Sequence, residues 1–307
     1  MSINSTAIDP TAAGDDPDEI AGITPQPPAR WVRASKSPWT TRIIALIVFI
    51  FIWWFLTTPM PWGDGKAIML PLYLPSIPDV WNAFVLSNTI HPIAPGVNRM
   101  VVGAYDYYLW QHLLATLQRI GFGLLFAIIV GIPLGLLMAS FKFVNTAAEP
   151  YINFLRALPP LGYIGLLIVW FGIGNTSKIW LLFLAAFPPI TIATIAGVRG
   201  IREDQIHAAQ TLGAKGYQVI TNVMIPATAP DLITGIRVAL GFAWTTVVAA
   251  ELNNGIPGIG GLAYLSGTEL KTPLTIACII VIGITAIALD SGIKALEKRL
   301  VPWRGKA

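Results

Sequence analysis

Few side chains in this 307-residue sequence could do chemistry, and most of them sit inside apolar runs. Arg237 and Glu251 stand toward the two ends of the apolar stretch 232–250. A charged group inside such a stretch has to face protein or water, so it marks a functional candidate. Both could face a solvated pathway. Arg237, close to Thr234 in sequence, could attract an anionic group such as a sulfonate; a structural ion pair or a helix-end cation fits it equally. Trp244, Thr245 and Thr246 place an aromatic ring and two hydroxyls midway along the stretch, where they either line a pathway or pack in a core. Arg119, inside the run 113–140, is a further intramembrane charge, or one that snorkels to the outer end.

No arrangement for covalent chemistry accompanies them. The sequence has no G-x4-G-K-[ST] loop to cradle a nucleotide, no H-E-x2-H and no C-x2-C. His91, His112 and His207 are too scattered to suggest a metal cluster. Cys278 is the sole cysteine, which excludes an intrachain disulfide. We therefore expect no catalytic residues, no metal and no cofactor held by this chain.

The elements that position these residues are membrane spans. Hydrophobic residues make up 54% of the chain and charged ones 12%, and the mean hydropathy is +0.65. That is the composition of a polytopic all-α membrane protein. A helix needs about 20 apolar residues to cross a hydrocarbon layer of about 30 Å. Runs of that kind occupy residues 41–60, 113–140, 143–174 (interrupted at Pro159-Pro160), 178–198, 232–250 and 272–289, giving six spans. Gly131 and Gly135 form a G-x3-G that allows close helix packing. The Pro159-Pro160 pair must break its helix. Residues 1–40 are Ser-, Thr-, Pro- and Asp-rich and read as a disordered tail, leaving 41–307 as the membrane domain. A signal peptide fits the first apolar run poorly, since the run starts late and no small-residue cleavage site follows. Residues 61–111 read as a long Pro-rich loop with one short helix after Leu74-Pro75-Ser76. Residues 253–267 read as a glycine-rich loop.

Lysine and arginine set the orientation. With the amino terminus inside, inner segments hold four of the 20 up to Arg42, then Lys142 and Arg156, then Arg199, Arg202 and Lys215, then five from Lys294 onward. Outer loops hold Lys66, Arg99, Lys178 and Lys271. This bias places both termini in the cytoplasm, in a multi-pass plasma-membrane protein surrounded by lipid. It gives the modest net charge of +4 a role in topology rather than in nucleic-acid binding.

The polar interruption at 199–231 then lies inside. Glu203 and Asp204 suit the first turn of a short helix, where the dipole favours negative charge. Gly213 stands where a C′ glycine stops it. Residues 217–224 can form a second short helix, and Pro226 and Pro230 mark entry to the next span. The result is a cytoplasmic helix–turn–helix with a low-profile face at Ala208 and Ala209.

At this segment the chain resembles the permeases of bacterial ABC importers, whose docking loop has the form E-A-A-x3-G-x9-I-x-L-P. His207, Ala208, Ala209, Gly213, Val223, Ile225 and Pro226 stand at the matching spacing, with His207 in place of the Glu. Leu158-Pro159-Pro160-Leu161, Trp170-Phe171-Gly172-Ile173-Gly174, Val248-Ala249-Ala250-Glu251 and Arg299-Leu300-Val301-Pro302-Trp303 extend the resemblance over residues 70–305, to the nitrate/sulfonate/taurine permeases and most closely to those for taurine. The resemblance implies a binding-protein-dependent importer permease fold and two copies of this chain. It implies two ABC ATPase subunits that hydrolyse the ATP and dock on His207, Ala208, Ala209, Gly213, Ile225 and Pro226, and an extracytoplasmic substrate-binding protein. The substrate would be a small organic anion or zwitterion such as taurine or an alkanesulfonate, with nitrate, bicarbonate, an aromatic acid or a pyrimidine precursor as alternatives. A facilitator working without ATP and a membrane-embedded enzyme are the other function classes; the enzyme would need a polar catalytic cluster that the sequence lacks.

Overall fold

A computed structural model describes residues 38–59, 67–93, 96–253 and 255–303 of the chain. Most of the tail read at residues 1–40, namely 1–37, and Lys66 lie outside the described residues. The chain divides into two units, residues up to Phe55 and residues from Leu56. Helix α1, Pro38–Thr57, carries the first unit; its side chains Ile43, Phe49, Phe51 and Trp54 are all exposed and apolar, as suits a membrane-spanning helix.

In the second unit, α2 (Ile77–Leu86) opens on a reciprocal cap. The Ser76 amide donates to Asp79 Oδ2 at 3.2 Å, and the Asp79 amide faces Ser76 Oγ at 3.4 Å. A short antiparallel hairpin follows, β1 (Ile90–Pro92) on β2 (Met100–Val102), with His91 opposite Val101. The sequence reading had only loop here beyond the short helix. Strands of three residues leave too little alternation to detect.

Helix α3 (Leu109–Ser140), α6 (Asn175–Arg199) and the long α9 (Ile225–Glu251) form the packed centre. Glycines let α3 and α6 approach. A Cβ at Gly123 would stand 2.5 Å from Leu182 Cβ, and one at Gly135 would stand 2.5 Å from Thr194 Cβ. The core that results joins Ala127, Met138, Ala186, Ile190 and Ala239 in one cluster and Ile120, Leu182, Leu240, Trp244 and Val247 in the next.

Between α3 and α6 the chain runs through α4 (Lys142–Ala157), a 3-10 turn (Pro160–Tyr163) and α5 (Ile164–Phe171). The two arms meet at 99° across Leu158-Pro159. Pro159 and Pro160 supply no amide hydrogens there and hold the backbone off the helix. Among the described residues, five helices are long and apolar enough to span a membrane, and six if this bent pair is one span.

After α6 come α7 (Glu203–Thr211) and α8 (Gly216–Val219). The sequence reading separated a second short helix at 217–224 from the span that follows. Instead α8 passes through a π turn (Ile220–Met224) into α9, so that Gly216–Glu251 runs as one helix of 36 residues. The widened turn, closed by Ile225 N–H donating to Ile220 O, accommodates Pro226 without a break.

Two further corrections concern the carboxyl-terminal third. The stretch 253–267 is not all loop, since α10 occupies Ile259–Thr268. The last span, α11, continues past residue 289 to Leu300.

Candidate functional site

Three features of the bundle carry polar groups into places where they can act. The first is a buried polar knot at the end of α9 remote from α7. Arg119 of α3 is 4% exposed and Glu251 of α9 is 1% exposed. Arg119 Nη1 donates to Glu251 Oε1 in a salt bridge. The remaining groups of both side chains are also occupied. Thr116 Oγ1 donates to Glu251 Oε1 at 2.7 Å, and the Gly260 amide donates to Oε2 at 2.8 Å. Arg119 Nε reaches Asn175 Oδ1 at 2.9 Å, and Nη2 reaches the Pro257 carbonyl at 2.6 Å. His112 takes the Gly258 amide on Nδ1 at 3.1 Å and meets the Ala104 carbonyl through Nε2 at 3.0 Å.

This network explains α10. The Glu251 carboxylate caps its first turn and thereby satisfies amides that a helix start leaves without partners. Glycine is required for the approach. A Cβ at Gly260 would stand 2.9 Å from Glu251 Oε2, and one at Gly258 would stand 2.6 Å from Arg119 Nη1. Sequence reasoning identified Arg119 and Glu251 separately. Their partnership across 132 residues, and the roles of His112, Thr116 and Asn175, left no local signal. Lys178, which the sequence reading put in an outer loop, lies in α6 and is 4% exposed, three residues past Asn175.

The second feature is a cleft of about 500 Å³ where the α4–α5 break faces α6 and α9. Its walls are largely apolar, including Leu158, Tyr163, Pro188, Val238 and Phe242, and among the described residues the charged ones that line it are Arg156 and Asp231. None of the five residues read from sequence as pathway candidates lines this cleft. Arg237 Nε instead donates to Asp290 Oδ1 of α11 at 2.9 Å, and Lys294 binds the same carboxylate at 2.7 Å. Glu251 belongs to the knot. Trp244 and Thr246 are packed in the core, at 7% and 4% exposure. Thr245 is exposed and donates to its own helix at the Phe242 carbonyl. The face of α9 that borders the cleft is formed by residues 231, 234, 235, 238 and 242.

The third feature is the α7–α8 segment. Gly213 has φ +85°, and its amide donates to Gln210 O at 2.9 Å while the Ala214 amide donates to Ala209 O at 3.0 Å. That pair of bonds is the Schellman closure of a helix on a left-handed glycine. His207 and Ala208 are exposed, Ala209 is half-buried, and the adjoining Leu212 is 89% exposed. In the helix that follows, Ile225 is exposed and Pro226 is half-buried. Leu212 is thus an apolar side chain standing almost fully in solvent beside two small residues.

At the opposite end, a second cavity of about 560 Å³ lies between α2, the hairpin and the start of α11, bordered by His91, Arg99 and Lys271. The Lys271 ammonium, 2.7 Å from Glu269 Oε2, holds that carboxyl below the usual carboxylate range.

Comparison with known proteins identifies relatives of the chain. Residues 131–302 match the family described as binding-protein-dependent transport system inner membrane component. The chain is 38% identical over 267 residues to the taurine transport system permease protein TauC of Escherichia coli (strain K12), covering 87% of this chain and 90% of that protein. It is 34% identical to the putative aliphatic sulfonates transport permease protein SsuC of Bacillus subtilis (strain 168), over 79% of this chain and 89% of that one. Identity to the nitrate import permease protein NrtB of Synechococcus elongatus is 29%, over 92% and 97%. Among solved structures, an inward-facing form of the MetNI methionine ABC transporter superposes with a TM-score of 0.52 at 20% identity, covering 63% of this chain and 94% of that chain, which is a likeness of fold.

Proposed function

The chain belongs to the family of binding-protein-dependent transport system inner membrane components, and from that membership we propose a specific assembly and cargo for it. As the permease component of an ABC importer, it crosses the membrane while ATP is hydrolysed on a separate subunit. Two copies of the chain form the transmembrane unit. Two ATPase subunits bind residues 199–231, each taking the Ala208–Ala209 face and the Leu212 side chain into a surface groove. Both termini and this docking segment lie in the cytoplasm. An extracytoplasmic binding protein delivers a small organic anion or zwitterion, such as taurine or an alkanesulfonate, to the end of the bundle that carries α2 and the hairpin. Nitrate import is the alternative cargo.

The observation that carries this reading is the α7 segment. It is a short helix stopped by a left-handed Gly213, presenting small and apolar residues to solvent at the foot of the two central spans, α6 and α9. The 36-residue helix leaving it reaches Glu251 at the far end, so a push on the segment has a stiff element to act through.

The test is reconstitution. Vesicles containing the chain and its ATPase, supplied with binding protein and ATP, should accumulate labelled taurine or alkanesulfonate, and ATPase activity should rise with loaded binding protein. Equal uptake by the purified chain with neither ATPase nor ATP would instead establish a facilitator.

A further inference from the structure

The cleft at the α4–α5 break holds two opposite charges that the protein itself leaves uncompensated. Arg156, in the last turn of α4, and Asp231, near the start of α9, both line it. Neither takes part in any of the ion pairs or side-chain hydrogen bonds among the described residues, whereas Arg119, Arg202, Arg237, Glu269 and Asp290 are all paired. Asp231 is held over α6. A Cβ added at Gly197 would stand 3.0 Å from its Cβ and 3.2 Å from its Oδ2, so the side chain lies close against that helix. The walls between the two charges are apolar, and the volume of about 500 Å³ suits a small solute with some water.

We propose that this cleft selects a zwitterion, a solute bearing one ammonium and one acidic anion on a short apolar spacer, with Arg156 receiving the anion and Asp231 the ammonium. The proposal rests on the importer reading above and narrows its cargo. A simple anion in this cleft is drawn to Arg156 and repelled by Asp231, and both charges act within a Debye length of about 10 Å, where salt screens them least. It gains little overall. A zwitterion satisfies both groups, and its apolar spacer covers wall residues such as Val238 and Phe242. A guanidinium also offers two parallel donors to the oxygens of a sulfonate or carboxylate, a geometry that favours these groups. Nitrate has no cation to offer Asp231. An alkanesulfonate fits the walls and Arg156 but leaves Asp231 facing apolar carbon.

The experiment uses the permease–ATPase complex in nanodiscs without binding protein, so that recognition upstream does not decide the outcome. Three probes are titrated at matched ionic strength: 2-aminoethanesulfonate, ethanesulfonate and nitrate. We expect 2-aminoethanesulfonate to bind roughly tenfold or more tightly than ethanesulfonate, the worth of one charge-assisted hydrogen bond. Asp231→Asn should erase that difference while leaving ethanesulfonate binding equal or tighter, and Arg156→Gln should weaken both sulfonates. Both side chains are exposed, so neither substitution removes core packing. Equal binding of the two sulfonates, an unchanged preference in Asp231→Asn, or no binding of any probe would overturn the proposal. Uptake by the reconstituted system separates the two readings. ATP-driven uptake without the zwitterion preference removes this inference alone, and absence of any ATP-driven uptake removes the importer reading itself.

Discussion

Glu251→Gln should destabilise the protein far more than its small change in shape suggests. Glu251 accepts from Arg119 and Thr116 on one oxygen and from the Gly260 amide on the other. A glutamine has one acceptor oxygen and one donor nitrogen. If the oxygen faces Gly260, the amide nitrogen opposes the Arg119 guanidinium; reversed, it opposes the Gly260 N–H. One donor is orphaned in either orientation, at about 1–3 kcal/mol. Arg119, 4% exposed, meanwhile keeps its charge with only the Asn175 and Pro257 oxygens as partners. Removing one member of a buried pair costs about 3–5 kcal/mol in all. Arg119→Met should cost a similar amount by leaving the carboxylate unpaired. The double variant removes both charges, so its loss should fall short of the sum by about 2–3 kcal/mol. The assay is unfolding of the purified permease in mixed micelles, monitored by tryptophan fluorescence and by retention of a monodisperse peak, for wild type, both singles and the double. Losses below about 1 kcal/mol for Glu251→Gln, or strict additivity in the double, would refute a shared buried pair.

Other outcomes follow from the same geometry. A Cβ at Gly213 meets no atom within 4 Å, so Gly213→Asp acts through the left-handed backbone at a cost of about 1–2 kcal/mol; it should abolish copurification of the ATPase, while His207→Ala retains most of it, and the reverse result would contradict the docking geometry. Leu212→Asp should likewise lose the ATPase with insertion and thermal stability unchanged, as befits an 89% exposed residue; retained ATPase would exclude this contact. Gly135→Ala forces a Cβ to within 2.5 Å of Thr194 Cβ and should cost about 1–3 kcal/mol; an unfolding midpoint equal to wild type would mean that α3 and α6 do not pack this closely. In a Cys278→Ala background, Lys215→Cys should resist an impermeant maleimide applied to intact cells and react in inverted vesicles; labelling from outside would reverse the orientation.

The parts of the fold legible in sequence were those written in local chemistry. Apolar length placed the spans, Pro159-Pro160 placed the break between α4 and α5, and Gly213 placed the end of α7. The G-x3-G at Gly131 and Gly135 marked the α3 face that meets α6. What escaped depends on distant partners. Helix α10 looked like loop because its glycines carry low helix propensity, which is overcome by a carboxylate on α9 and an arginine on α3. The π turn hid the continuity of Gly216–Glu251, since its sequence reads as a short helix followed by prolines. The cleft was missed because Arg156 read as one more inner-side cation and Asp231 as the end of a loop. Only the 99° bend brings α4 round to border the same space as α9.

The continuous helix from Gly216 to Glu251 also has a mechanical meaning. Its 36 residues make a rod of about 54 Å, so a tilt of about 10° around its centre carries each end through about 5 Å. Its compliance is not evenly spread. The π turn, Pro226 and Pro230 all fall within its first 15 residues, beside α7, and from Asp231 to Glu251 no proline interrupts it. Such a rod has its joint beside α7 and its unbroken length beyond it. A shift at α7 is partly absorbed at that joint, and what passes it arrives at the far end undiminished. There Glu251 is bolted to α3 and α10, so the stroke moves a block of three helices rather than a single side chain.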